Sequence, residues 1–205
     1  MNRRKFCLSS FATAISGAVV GAGCLRAGEP DALPAASASL QLYKFVYDRR
    51  YPAARAFGIA AAFARSTAGI VAIAGDVTAL WSRDLKRVWC AGDGAIAGMT
   101  TARTLLCLEQ LAHDHWMRVA IRIEHVGAEG QEVAHRLSAA APLIARISPV
   151  LAGADWAAQL PAALATCRDL SGACLTSVIG STRPFFAGAD ETLVSFVIAA
   201  RGGIA

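Results

Sequence analysis

The chain lacks the short motifs that would announce a familiar chemistry. It has no Walker A run and no GxGxxG, so the usual mononucleotide and dinucleotide fingerprints are missing. No Gly-x-Ser-x-Gly elbow raises a serine for a Ser/His/Asp hydrolase, and no CxxC pair offers disulfide redox chemistry. It also lacks a Gly/Ser or Pro-rich linker in its middle, an internal repeat and a block of like charge, so nothing divides it into several domains. A basic excess is missing too, once its source is located. The formal net charge is +5, but Arg3, Arg4, Lys5 and Arg26 precede the first acidic residue, Glu29. Of the 20 basic residues 16 remain beyond them, against 15 acidic ones. A net of +1 does not attract a phosphate backbone, which excludes nucleic acid as the expected partner.

What is present begins at the N-terminus. Asn2-Arg3-Arg4-Lys5-Phe6-Cys7-Leu8 sets paired arginines ahead of a Phe and an apolar residue, followed by a soft Ala/Gly/Ser/Val run with no charge from Phe6 to Leu25. A stretch of about 20 apolar residues could span a bilayer. Here Ser9, Ser10, Thr13, Ser16, Gly17, Gly21 and Gly23 dilute it. A charged start, an apolar middle and small residues from Ala22 to Ala27 are the parts of a signal peptide. This segment resembles the twin-arginine (Tat) export signals of bacteria. The resemblance covers residues 1–27 and implies an exported, periplasmic chain that meets the Tat machinery already folded. Gly21-Ala22-Gly23-Cys24 also has the small residues that precede a lipidated cysteine, with Gly21 where Leu is usual; contact with a membrane would follow only from lipidation of Cys24 or a retained signal.

Residues 28–39 read as a tether, and about 170 residues then suffice for one domain with a proper core. Leu42 to Tyr47 is a strand ending at Asp48, and Pro52 opens a helix to about Ser66. Gly69 to Ala74 reads as a strand buried on both faces. Asp76 is placed to cap a helix whose inward face is Val77, Leu80, Trp81, Leu85, Val88 and Trp89. Ala95-Ile96-Ala97 is a very short third strand, and a helix follows Gly98-Met99-Thr100-Thr101 with Leu105, Leu108, Leu111 and Ala112 inward. Met117 to Ile123 is a fourth strand, ending at Glu124-His125. Helical stretches are expected at 131–145 and 155–168, then a last strand over Leu193 to Ile198. This alternation predicts a three-layer α/β domain with a mainly parallel sheet of four to five strands, flavodoxin-like or Rossmann-like, with a helical C-terminal part.

In such sheets ligands lie beyond the carboxyl ends of the strands, and polar residues fall at all four. Asp48, Asp76, Glu124 and His125 are the acid/base candidates, since a carboxylate with an imidazole can exchange protons near neutral pH. Gly98, Thr100 and Thr101, read as a helix start with two hydroxyls, are the candidate cradle for a carboxylate, a phosphate or an unknown cofactor. Each has a plainer use: Asp48, Asp76 and the threonines as helix caps, Glu124 and His125 as a solvated strand end.

All four histidines fall between positions 113 and 135. His113 and His115 diverge on a helix, so a polar helix end fits them better than a shared metal. Four cysteines lie beyond the signal. Cys107 reads as a small buried thiol in an apolar run, and Cys167 and Cys174 are the better-placed pair if a disulfide forms. Three functions fit: a domain binding a small anionic ligand or cofactor at the strand ends, a small acid/base or metal-assisted enzyme, or an accessory subunit exported with a protein partner. Trp156, Phe185 and Phe186 would suit the interface that the last requires, although core packing is the more ordinary use of each.

Overall fold

Leu42, Phe45 and Val46 are buried in β1 (Leu42–Asp48), the strand on which the rest of the α/β unit is laid. The structure is a computed structural model, and it describes residues 40–64, 66–127, 132–168, 170–184 and 192–201. The segment expected to be an export signal, with Cys24, the expected tether, and Phe185 and Phe186 lie outside the described residues.

Pro52 fixes the first turn of α1 (Pro52–Phe63), whose Phe57 meets Phe45 edge-on at 5.9 Å. β2 (Gly69–Ile73) then pairs parallel with β1. It is an edge strand with Gly69, Ile70 and Ala72 exposed, so the expectation of a strand buried on both faces is corrected. The next helical segment, α2, consists of Thr78–Leu80, a π turn at Trp81–Leu85 and Lys86–Cys90. The wider turn brings Leu80 and Leu85, five residues apart, onto one face, where both are buried with Trp89.

β3 (Ala95–Thr101) is buried along its whole length and leads directly into α3 (Ala102–His113). β4 (Met117–Val126) follows, then β5 (Glu132–Ala140). Here a strand replaces the helix expected over 131–145. Val133, His135 and Leu137 are buried while Glu132, Ala134 and Arg136 are exposed, the period of two that a half-buried strand requires. α4 (Ala141–Ala152) and α5 (Trp156–Ala165) come next, then β6 (Cys174–Pro184) and β7 (Leu193–Ala200).

The seven described strands have the order β2-β1-β3-β7-β4-β5-β6. Only the β1–β2 and β1–β3 pairs are parallel; β3–β7, β7–β4, β4–β5 and β5–β6 are antiparallel. The domain is therefore mixed α/β with a mostly antiparallel sheet, and the expectation of a mainly parallel sheet of four to five strands fails. The last strand enters between β3 and β4, which a parallel array would have made neighbours. Its run of apolar residues fits that place, because β7 is covered on both faces.

Helices pack on both sides. α1, α4 and α5 cover one face through Phe57, Leu143, Ile147, Leu151, Trp156 and Leu160. α2 and α3 cover the other through Leu80, Leu85, Trp89, Leu105 and Leu108. The second layer stops short: α3 lies against β3, β7 and β4, and no described helix reaches β5 or β6 on that side. No described helix is long and apolar enough to cross a membrane.

Candidate functional site

The residues expected at the strand ends divide into local arrangements. At the end of β1, Asp48 is fully buried and its carboxylate is already taken. It accepts from the Arg50 backbone at 3.1 Å and from the Arg50 guanidinium at 3.0 and 2.6 Å. Gly75 makes this possible: its φ is +86°, and a Cβ there would lie 2.6 Å from the Arg50 guanidinium. Replacing Asp48 with alanine removes charge-assisted bonds to a half-exposed arginine, so we expect a loss of about 1–2 kcal/mol in a urea titration.

Asp76 is exposed and accepts from the Thr78 backbone at 2.8 Å, closing the turn that leads into α2; the N-cap itself is Val77, so the cap expected at Asp76 is corrected by one residue. That bond holds its pKa below the ordinary carboxylate value. Thr101 caps α3, accepting from the Thr104 backbone at 3.3 Å; the Thr104 hydroxyl in turn donates to the Gly75 carbonyl at 3.3 Å. Thr100 is buried and donates to the Thr101 carbonyl. Gly98 sits within β3 and not in a loop before a helix. A Cβ there would lie 2.4 Å from the Val46 carbonyl and 2.7 Å from the Phe196 ring, so the glycine admits close approach of neighbouring chain. Gly98, Thr100 and Thr101 are thus strand and cap, and their donors face inward.

Glu124 and His125 are adjacent in sequence but occupy opposite faces of β4. Glu124 joins a surface ladder, accepting from Arg122 at 3.1 Å and Arg136 at 3.3 Å, while Arg122 also reaches Glu109 of α3 at 2.7 Å. Partly exposed pairs of this kind stabilise little. His125 points the other way, beneath α5, into a polar cluster that sequence reading did not assemble. Its Nδ1 lies 2.7 Å from Nδ1 of His135, and its Nε2 lies 2.8 Å from the Ser195 hydroxyl. Trp156 stacks on His125 at 4.3 Å and 27°, and meets His135 at 4.7 Å nearly edge-on. Trp156 is therefore buried against the histidines, the core use and not the interface.

A nitrogen pair 2.7 Å apart requires one ring to donate and the other to accept. If Ser195 donates to His125, then His125 donates to His135; if the direction reverses, every step reverses. Either way both rings are neutral, and Nε2 of His135 is buried without a hydrogen-bond partner. Burial pushes His125 well below the usual imidazole range, and repulsion from His135 adds to it. Burial likewise lowers His135 to about 4, with the Leu151 backbone carbonyl pulling the other way. That carbonyl favours a proton on the ring, yet no bond of ordinary geometry reaches Nε2.

The arrangement of Ser195, His125 and His135 has the connectivity of a nucleophile and its base. Its chemistry is blocked by position: all three are at most 1 % exposed, and Ser195 lies mid-strand in β7. A substrate carbonyl has no approach to Ser195, so the cluster acts as a buried polar clamp across β7, β4 and β5. A shallow cleft of about 210 Å³ lies at the start of β1, lined by Gln41, Tyr43, Thr67, Val88 and Asp93, far along the strand from Asp48.

Among the described residues no three His, Cys, Asp or Glu side chains come together as a metal site. The four described cysteines are free, so Cys167 and Cys174, the better-placed pair if a disulfide formed, are not bridged. Cys107 is exposed on α3 and not buried. Comparison of the chain with protein-family models, curated proteins and solved structures finds no match, so the assignment of these residues rests on their geometry.

Proposed function

We propose that this chain is an exported accessory domain that works by assembly through the free edge of β6, and that the occupant of that edge is a second copy of the chain. One observation carries the reading. β6 is an 11-residue strand paired with β5 on one side only among the described residues. Edge strands are ordinarily blunted by shortness, lysine, proline or a covering element. The opposite edge, β2, has five residues and conforms. From Cys174 to Thr182 the β6 edge has no charged residue and no proline. On the face that α2 and α3 leave bare, Thr176, Val178 and Gly180 are exposed, Val178 to 70 %.

An uncharged strand matches itself without repulsion, and a two-fold axis sets two copies antiparallel, the pairing already used by β5 and β6. Arg183 and Pro184 mark where such pairing would stop. The resemblance at Arg3 and Arg4 supports export by a route that takes folded, already assembled proteins. Binding of a small anionic ligand at the strand ends has less support, because Arg50 is neutralised by Asp48 and the threonine hydroxyls are used internally. An acid/base enzyme has less again: Asp48, Asp76, Glu124 and His125 do not converge.

Sedimentation equilibrium of the protein isolated from the periplasm is the test. The expected result is a dimer that Thr176→Lys with Val178→Lys weakens at least tenfold, by placing like charges on both edges, with the thermal midpoint of the monomer unchanged. A monomer at every concentration, or a dimer indifferent to the two lysines, refutes the reading.

A further inference from the structure

Two helix ends meet on the face away from the histidine clamp. Cys90, the last residue of α2, is exposed, and its Sγ lies 3.7 Å from Nδ1 of His115, just beyond α3. The imidazole is held there. Its ring lies 5.2 Å from that of Trp81, which lies 6.0 Å from that of Trp89. Trp89 is itself buried and anchored by its indole N–H to the Gly94 carbonyl at 3.0 Å. On the chain, the His115 backbone donates to Ala112 at 3.0 Å. The next residue, Trp116, is in the left-handed region at φ +58° with its carbonyl accepting from Arg201 at 2.9 Å. His115 is thus fixed from the ring side and from both sides of the backbone, with one nitrogen turned to a solvent-facing thiol.

The other described thiols differ from it. Cys107 is exposed on α3, and Cys174 is exposed with only the Leu175 carbonyl at 4.0 Å. Cys167 is buried against Ala163, and burial pushes its thiol pKa up. Of the three exposed thiols among the described residues, one has an imidazole as its neighbour. A thiolate is the nucleophile in disulfide exchange, and a positioned base is what supplies it.

We propose that Cys90 and His115 form a thiol-exchange site that accepts accessible disulfides. The thiol passes its proton to Nδ1 of His115, and the Cys90 sulfur attacks one sulfur of the incoming disulfide. A new S–S bond forms between Cys90 and that sulfur as the original S–S bond breaks. Its electron pair departs with the leaving thiolate, which takes the proton back from His115. The disulfide is the sole oxidant, and the products are one mixed disulfide and one free thiol.

The test is the rate of reaction of the full chain with the aromatic disulfide 5,5′-dithiobis(2-nitrobenzoate) at pH 7, with each adduct located by peptide mass mapping. We expect Cys90 to react roughly tenfold faster than Cys107 or Cys174, well under the roughly hundredfold or more that a positioned base supplies in general. His115→Phe, which keeps a ring against Trp81, should bring Cys90 down to the rate of Cys107 while Cys107 and Cys174 keep theirs, the internal control for folding. In His115→Ala, added imidazole should restore part of the rate at Cys90 alone. If Cys90 reacts no faster than Cys107, or if His115→Phe leaves its rate unchanged, the site does not exist.

Discussion

Replacing Gly98 with alanine will lower the thermal midpoint of the domain by about 6–12 °C, the equivalent of about 3 kcal/mol. The added Cβ would stand 2.4 Å from the Val46 carbonyl of β1 and 2.7 Å from the Phe196 ring of β7. Neither is the free end of a flexible side chain. Val46 is paired with Gly98 in the register of β1 and β3, and Phe196 is opposite it in β7, so relief requires two strands to part from the third. Both neighbours are fully buried, so parting them opens a void where the interior is close-packed. The result separates two uses of this glycine. A ligand cradle would leave Gly98→Ala folded and deficient in binding; a packing glycine makes it unstable with no ligand present. Thermal unfolding of the variant beside Gly92→Ala distinguishes general loss of glycine from loss at this point, because a Cβ at position 92 meets nothing within 4 Å. Gly92 has φ +75°, so its own substitution costs about 1 kcal/mol and sets the baseline.

The same residue shows where sequence reading held and where it stopped. β1, α1, α3, β4 and β7 were legible because each carries a period that one strand or helix imposes by itself: Phe45 with Val46, or Leu105 with Leu108. Gly98 reads as the start of a helix and a ligand cradle because glycine that admits a ligand and glycine that admits a neighbouring strand are the same letter; only the identity of what lies across the strand tells them apart. β5 was misread since alanine and leucine suit a helix, although Val133, His135 and Leu137 alternate correctly. β6 has only Leu175, Val178 and Ile179 among polar and small residues and gave little apolar signal, as expected of an edge with one bare face. Sheet order was beyond the sequence altogether. The alternation of strands and helices up to His125 says that crossovers exist, but not that a strand some 70 residues later inserts between β3 and β4. That insertion decided the fate of the candidate site. It carries Ser195 to His125, and so converts a strand-end histidine into a buried one. The isolated cues were present, since His125 and His135 both stand at inward positions of alternating strands, yet their pairing needs the β4–β5 register that puts them opposite each other.

Acid will weaken this domain steadily below about pH 6.5, and the histidine pair is the reason. In the folded chain His135 titrates at about 4, against about 6.5 for an imidazole in an unfolded chain. Between those values the unfolded state binds the proton and the folded state does not, so stability rises with pH. Its contribution is complete above pH 6.5 and is lost as the pH falls toward 4. Over that window His135 alone accounts for about 3 kcal/mol. His125 is lowered too, and acts in the same direction. Two protons are a worse case than one. Doubly charged rings would present N–H to N–H across 2.7 Å, so the pair admits at most a single added proton and titrates as a unit. Urea midpoints measured from pH 8 to pH 4 should be flat above pH 7 and fall steeply below 6.5. His135→Leu provides the discriminating comparison. At pH 7.5 it should be less stable by about 1–3 kcal/mol, because it leaves Nδ1 of His125 buried without its partner. Between pH 6.5 and 4 its slope should be shallower than that of the natural sequence, since one of the two lowered imidazoles is gone. Equal stability at pH 7.5 and pH 5, or a slope that His135→Leu does not change, would show that the protons enter elsewhere. A steep slope that becomes shallower in His135→Leu would identify the clamp of His125, His135 and Ser195 as the element that holds β7 to β4 and β5, and would give the domain an acid limit set by its fold and not by a catalytic group.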